Sequence, residues 1–227
     1  MSSPTMMPMS LEEIAQAVQG RLIAGTAAID TPVATSTFTD SRQIVEGSVF
    51  VAIAGERVDG HDYVSKVGAQ GAVAAIVDHE IDGAGVPQIV VEDTVLALGA
   101  LAKHNIERRR ALETPFTVIG ITGSVGKTTT KDLMKALLAH IGPTIAPVGS
   151  FNNEIGLPLT SLKVHAETRF LVAEMGANHV GEIANLTSLV PPDIAVVLKV
   201  GVAHLGEFGS PERIAQAKSE IIRGLVP

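Results

Sequence analysis

Phe116-Thr-Val-Ile-Gly-Ile-Thr122 runs into Gly123-Ser-Val-Gly126-Lys127-Thr128-Thr129. The first seven residues read as a buried strand, and a helix begins at Lys127. Between them, glycines let backbone N–H groups close around phosphate oxygens, and the helix N-terminus adds positive potential. Lys127 then reaches terminal phosphates, and the Thr128 hydroxyl holds Mg²⁺. The pattern is shorter than G-x-x-x-x-G-K-S/T, because Ile121 stands where the first glycine belongs. The candidate phosphate-binding residues are therefore Thr122, Gly123, Ser124, Val125, Gly126, Lys127, Thr128 and Thr129. Downstream, Leu133, Met134, Leu137 and Leu138 read as one apolar helix face. An ordinary glycine turn before a helix is the plain alternative. The motif by itself does not separate kinase, hydrolase and ligase.

Outward from this stretch the rhythm is strand, turn, helix. Strands are expected at Phe116–Thr122, Phe170–Glu174 and Ile194–Val200, and helices at Lys127–His140, Gly181–Val190 and Pro211–Leu225. Alternating βα units imply a mostly parallel sheet covered on both faces. Upstream, Ser10-Leu-Glu-Glu13 is a capping box, followed by Leu11, Ile14, Ala15 and Val18 at helical spacing and closed by Gly20. Strands are expected at Val49–Ile53, Ala72–Val77 and Gln88–Val91, with a helical stretch at His61–Val67. Asp93 caps a long helix to about Arg110, whose Glu107-Arg-Arg-Arg110 end reads as solvated. Glu113-Thr114-Pro115 breaks the pattern, since proline biases its predecessor away from helix. The expected architecture is α/β: a small domain over residues 1–113, then a partial P-loop mononucleotide-binding domain over residues 114–227 with a mostly parallel sheet.

Composition bounds the chemistry. The chain has 227 residues, 46% hydrophobic, 18% charged and 3% aromatic, so it can bury a core built from Ala, Val, Ile and Leu. Its 22 Gly and 12 Pro are too few for a low-complexity chain. Cysteine is absent, which excludes disulfides, thiolate zinc sites and a cysteine nucleophile. A net charge of −7 argues against a bulk basic surface for nucleic acid. No apolar run approaches the ~20 residues that span a bilayer. The N-terminus has neither a basic nor an apolar signal region. A cytoplasmic protein without membrane insertion is expected.

Several residues sit where an α/β sheet binds ligands, at the carboxyl ends of strands. Glu174 ends one strand and precedes Met175-Gly176-Ala177-Asn178-His179; it is either a metal-facing carboxylate or a solvated acid. His204, after the Ile194 strand, is either a metal ligand or a loop histidine, and His179 carries the same ambiguity. Lys218 lies inside the Ile214, Ala217, Ile221, Ile222, Leu225 stripe, whereas Glu212, Arg213, Gln216, Ser219, Glu220 and Arg223 lie outside it. Such a lysine either snorkels to water or is inward and desolvated, with a lowered pKa. In the first domain, Asp40-Ser41-Arg42 and Asp59-Gly60-His61 read as turns that could bind a diphosphate or a polar base.

Together these stretches resemble the Mur ligases. The resemblance runs from about Ser10 to the last residue, through Asp40-Ser41-Arg42, Phe50-Val-Ala-Ile53 with Gly55, Asp59-Gly60-His61, Thr122 to Thr129, Phe151 to Thr160, Glu174 to His179 and Ala203-His204-Leu205. The shortened phosphate loop is the form this family carries. The Asn152–Thr160 and Glu174–Glu182 stretches resemble the branch that adds D-alanyl-D-alanine to UDP-N-acetylmuramoyl-tripeptide. The resemblance implies an ATP-dependent amide ligase of peptidoglycan precursor synthesis, acting through an acyl phosphate, with ATP and Mg²⁺ and as a monomer. It implies that Thr128 and Glu174 hold one Mg²⁺ and His204 a second, supported by Lys218 as a carbamate. Lys127, Lys218 and His204 would carry catalysis. Asn152, Asn153, Asn178 and His179 would contact substrate, and Ser41, Arg42, Asp59, Gly60 and His61 would seat the UDP-sugar. Mur ligases have three domains, and this sequence stops inside the second; the 227 residues alone are expected to have little ligase activity. The alternatives are the neighbouring ligase that adds the third amino acid to UDP-MurNAc-dipeptide, and a non-catalytic UDP-sugar or phosphate-binding module.

Overall fold

The computed structural model describes residues 6–23, 33–201 and 205–226. The chain divides into two compact units, residues 1–105 and 106–227. The first contains β1 (Met9–Ser10), α1 (Leu11–Ala17), β2 (Arg21–Ile23), β3 (Val33–Ala34), β4 (Ser36–Phe38), β5 (Ser48–Val51), α2 (Val64–Val67), β6 (Ala72–Val77) and β7 (Gln88–Val90). It ends within α3 (Thr94–Arg110). The division falls inside this helix because its last turn packs elsewhere: Ile106 belongs to the core of the second unit.

In the first unit, five strands lie in the order β2-β7-β6-β5-β4, parallel except for the β2–β7 pair. Phe50, Ala75 and Val77 project from one face onto Val64 and Val67 of α2. The helix starts follow the capping chemistry expected of them: Ser10 Oγ accepts from Glu13 N, and Asp93 Oδ1 accepts from Val95 N and Leu96 N at 2.7 and 2.8 Å.

The second unit contains β8 (Thr117–Thr122), α4 (Lys127–Leu138), β9 (Thr144–Ile145), α5 (Gly156–Ser161), β10 (Phe170–Glu174), α6 (Glu182–Leu189), β11 (Ile194–Val197), α7 (Leu205–Phe208) and α8 (Pro211–Arg223). Its four strands are all parallel, in the order β11-β8-β10-β9. Alternation along the strands separates two cores. Val118, Leu171 and Ala173 meet Ile183 and Leu186 of α6 and Ile214, Ala217 and Ile221 of α8. Ile119, Ile121 and Val172 face the other way, against Met134 and Leu138 of α4. Later strands flank β8 on both sides, so the loop leaving its carboxyl end lies where the strand order reverses, the ligand position of open α/β sheets. Among the described residues, no helix is long and apolar enough to cross a membrane.

Four expectations need correction. The apolar face of α4 is not Leu133, Met134, Leu137 and Leu138: Leu133 and Leu137 are exposed, and the inward stripe is Lys131, Met134 and Leu138. At about 100° per residue, positions i, i+3 and i+7 share that side, and the two leucines fall opposite. On α8 the buried stripe is likewise rotated, so that Glu220 is buried and Ile222 is 57% exposed. The expected strand ends also move inward: β5 stops at Val51 and β11 at Val197.

The Glu107–Arg110 run is not a solvated end. Arg109 is 1% exposed. Its Nε and Nη2 donate to Thr168 O at 3.0 and 2.7 Å, Nη2 donates to Pro115 O at 3.0 Å, and Nη1 donates to Thr114 O. Its guanidinium also lies 4.9 Å from the Phe116 ring centroid. Arg110 forms a fork on Asp193 at 2.8 and 3.0 Å, and Asp193 in turn accepts from Val118 N at the start of β8. The two arginines thus tie the end of α3 to the chain that enters the sheet. Replacing Arg109 with methionine leaves three carbonyls without this donor, and we expect a loss of about 3 kcal/mol in urea unfolding.

Candidate active site

The site is built at the carboxyl ends of β8 and β10. After Thr122 the chain turns through Gly123 at φ +152°, where an added Cβ would stand 2.8 Å from Leu198 Cβ, so only glycine fits. Gly126 takes φ +86° as the N-cap of α4. Lys127 Nζ donates to Gly123 O at 2.8 Å, closing the loop on itself. Ser124 laces the loop to the segment after β11: its N donates to Lys199 O, and its Oγ accepts from Gly201 N at 3.0 Å. Thr122 Oγ1 is buried and has no hydrogen-bond partner among the described residues. Val125 and Thr129 are exposed.

Glu174 is not a solvated acid. It is 1% exposed, and both carboxylate oxygens are engaged. Thr128 Oγ1 donates to Oε2 at 3.1 Å, and Asn152 Nδ2 donates to Oε1 at 2.9 Å. Asn152 is held in turn: its carbonyl accepts from Gly176 N at 2.8 Å, and a Cβ on Gly176 would fall 2.8 Å from its side chain. Asn153 Oδ1 accepts from Gly156 N, anchoring the start of α5. Residues that the sequence separates by tens of positions thus meet at one point.

That point opens on a cleft of about 590 Å³ lined by Lys127, Asn152, Asn153, Glu154, Asn178 and Glu182, among others. Asn178 N donates to Glu182 Oε2 at 2.7 Å, and His179 Nδ1 contacts Glu182 Oε1 at 3.0 Å. Burial works to raise the Glu182 pKa, but the hydrogen bonds from Asn178 and His179 prevail and hold it below the usual value. His179 is exposed and does not line the cleft.

Lys218 approaches the same cleft from α8. It is 2% exposed, and its Nζ donates to Ala177 O at 3.2 Å, 5.4 Å from the Phe208 ring centroid. Burial, followed by the nearby charge of Lys127, lowers its pKa to about 8. Of the two readings left open, the inward amine is the observed one. His204 lies outside the described residues.

Two charged residues escaped the sequence reading. Glu220 caps α6 from another helix, its oxygens accepting from Gly181 N at 2.7 Å and Ala184 N at 3.1 Å. It thereby fixes the 177–182 wall of the cleft. Lys131 is fully buried, and its Nζ donates to Pro147 O at 2.9 Å and Gly149 O at 3.2 Å and pairs with Asp132 Oδ1 at 2.7 Å. This holds the approach to Asn152 and Asn153. The only available signal was Lys131 standing at i, i+3 and i+7 with Met134 and Leu138.

In the first unit, Asp40, Ser41, Arg42, Phe50, Gly60 and Tyr63 line a second cleft of about 470 Å³. Asp40 caps the 3₁₀ turn Ser41–Gln43 and receives a fork from Arg42, Nε at 2.9 Å and Nη2 at 2.8 Å. The Arg42 hydrogen bonds hold the Asp40 carboxyl down at about 2. Of the Asp59–His61 turn, Gly60 alone reaches this cleft. His61 is buried, with Nδ1 2.6 Å from Asp59 Oδ1.

Known proteins resemble this chain in sequence and fold. Residues 35–106 match the Mur ligase family, catalytic domain, and residues 121–227 match the Mur ligase middle domain. A UDP-N-acetylmuramoyl-tripeptide–D-alanyl-D-alanine ligase of Mycobacterium tuberculosis (strain ATCC 25618 / H37Rv) is 43% identical over 95% of this chain and 46% of its own length. The crystal structure of MurF from Acinetobacter baumannii superposes with a TM-score of 0.85 at 39% identity, over 98% of this chain and 48% of that one. MurF ligase from Thermotoga maritima in complex with ADP gives a TM-score of 0.72 at 39% identity, over 84% of this chain and 43% of that one. The chain spans about half the length of the curated relatives it matches. With its parallel sheet, shortened phosphate loop and both domain matches in order, the chain belongs to the Mur ligase family.

Proposed function

We propose that the chain supplies the UDP-sugar and ATP sites of a cytoplasmic ligase that joins D-alanyl-D-alanine to UDP-N-acetylmuramoyl-tripeptide. The observation that carries this reading is the contact of Thr128, Glu174 and Asn152 beside Lys127 at the end of β8. It joins the phosphate loop to the Asn152–Thr160 and Glu174–Glu182 stretches that resemble the D-alanyl-D-alanine-adding branch.

In the first step the terminal carboxylate of the UDP-tripeptide attacks the γ-phosphorus of ATP and ADP leaves. The acyl phosphate that results is the electrophile the carboxylate was not. The amine of D-alanyl-D-alanine then adds to the carbonyl carbon, phosphate departs and the nitrogen loses a proton. Lys127 and the loop amides from Gly123 to Thr128 bind the phosphates and meet the charge that builds on them. Asn152, held by Glu174, and Asn153 and Asn178 on the cleft wall orient the peptide end of the substrate. Ser41, Arg42 and Gly60 seat the UDP-sugar.

The donors suit Mg²⁺. Glu174 is a buried carboxylate whose side-chain partners are two neutral donors, with no cationic side chain in ion-pair range among the described residues. A hard cation bound by Thr128 and Glu174 would balance that charge and neutralise the phosphate oxygens during transfer. The lowered pKa of Lys218 supports carbamylation, in which the neutral amine adds to CO₂ and releases a proton.

The whole reading frame containing these residues tests the proposal. Given ATP, Mg²⁺ and UDP-MurNAc-tripeptide, the protein should release phosphate with D-alanyl-D-alanine and not with free diamino acids. Turnover with UDP-MurNAc-dipeptide and a free diamino acid instead would overturn it.

A further inference from the structure

Beyond the ligase reading, we propose that His61, Asp78 and His79 form a binding site for one divalent transition-metal ion of the zinc class. The ion would pin the turn at Gly60–Tyr63 to the carboxyl end of β6. The site lies within the first unit.

The imidazole of His61 is already set as a ligand. Asp78 N donates to its Nε2 at 3.2 Å, so Nε2 is the unprotonated nitrogen and Nδ1 carries the proton toward Asp59 Oδ1 at 2.6 Å. A histidine whose second nitrogen donates to a carboxylate is the usual outer arrangement of metal sites, since it fixes the tautomer and raises ligand basicity. On the Nε2 side stands Asp78 Oδ1, also at 3.2 Å. The Nε2 lone pair, held for now by the Asp78 amide, therefore stands beside a carboxylate oxygen of the same residue. Two ligands on one tetrahedral zinc, with bonds of about 2.0–2.1 Å, stand about 3.3 Å apart. The observed separation is the one an ion needs. His79 completes the set: its ring stacks on His61 with centroids 4.9 Å apart, and its Nδ1 makes a short hydrogen bond to Asp78 Oδ1, so an ion entering here displaces that proton and parts the two atoms. All three ligand atoms lie within 4.8 Å of one another.

Accessibility fits the same use. His61 is buried, whereas Asp78 and His79 are exposed, so an ion enters from solvent and keeps a position for water. Two imidazoles and one carboxylate favour zinc, nickel or cobalt over magnesium. Magnesium at the nucleotide site therefore does not compete here. The long amide contact to Nε2 is what the ion replaces. Because Gly60 lines the Asp40–Arg42 cleft, the ion would stiffen one wall of that cleft.

Metal-stripped protein, titrated with Zn²⁺ in equilibrium dialysis and with Co²⁺ by visible absorption, tests this with millimolar Mg²⁺ present throughout. The wild type should bind one more equivalent of Zn²⁺ than His79→Ala or Asp78→Asn, and only the wild type should show the ligand-field bands of nitrogen-bound Co²⁺. Asp59→Asn should bind Zn²⁺ 10–100-fold more weakly. His79 is exposed, so the metal-free melting temperature of His79→Ala should match wild type. Equal Zn²⁺ binding by wild type and both ligand variants, or no binding that survives Mg²⁺, would overturn the proposal.

Discussion

If the proposed ligase reading holds, Glu174→Gln in the whole reading frame is expected to lower turnover by about 10²–10³-fold while leaving the fold intact. The substitution keeps size and hydrogen-bonding reach: a glutamine carbonyl still accepts from Thr128 or Asn152. What it removes is the negative charge, in a position 1% exposed and shielded from screening water. If that charge holds Mg²⁺ with Thr128, its loss takes away the cation that offsets charge on the transferring phosphoryl group, and one such electrostatic contribution is worth about 10²–10³ in rate. The melting temperature should hold or rise, because a buried carboxylate without a cationic partner is costly to keep. Nucleotide binding by the 227-residue chain offers a second readout. Wild-type affinity for ATP should depend on Mg²⁺, and that dependence should shrink in the variant. A variant that retains wild-type turnover and Mg²⁺ dependence would remove Glu174 from the metal site.

Much of this site could be read without coordinates, and the residues that could not share a cause. The Phe116–Lys127 transition was legible because strand, glycine turn and helix each leave a local signature. Lys218 was legible because a charge inside an apolar helical stripe is a local conflict. Glu174 stood at a strand end, but whether it faced solvent or a partner depended on Asn152, which arrives from a loop 22 residues away. Arg109, Lys131 and Glu220 were hidden for the same reason. Each is a buried charge held largely by backbone groups: Arg109 by carbonyls at 114, 115 and 168, Lys131 by carbonyls at 147 and 149 beside its ion pair with Asp132, Glu220 by amides at 181 and 184. Backbone partners carry no residue-type signal, so a charged side chain bound to them looks like a solvated one. The His61 turn failed in the opposite way. Its local chemistry suggested a ligand-facing histidine, while Asp59 and the end of β6 draw the ring inward.

Lys218→Met should cost about 10²-fold in turnover and yet stabilise the protein at neutral pH. The two effects have one origin. Burial and the charge of Lys127 place the Lys218 pKa at about 8, against 10.5 for the free side chain. Between these values the unfolded chain holds a proton that the folded chain has released, so stability rises with pH across that window. Below about pH 8 the folded state carries a buried ammonium set against one carbonyl at 3.2 Å and the Phe208 ring. Methionine fills a similar volume without the charge. In CO₂-free buffer at pH 7 the variant should therefore be more stable by about 1–3 kcal/mol, the order of a shift of this size, and the gap should close towards pH 10. Turnover should behave differently. A neutral amine can add CO₂, so wild-type activity should fall when bicarbonate is removed and return when it is restored, whereas the methionine variant should stay low throughout. A stability gap that widens with pH would contradict the buried ammonium. Bicarbonate-independent activity in the wild type would contradict the carbamate while leaving the buried amine in place, so the two measurements separate the charge of Lys218 from its modification.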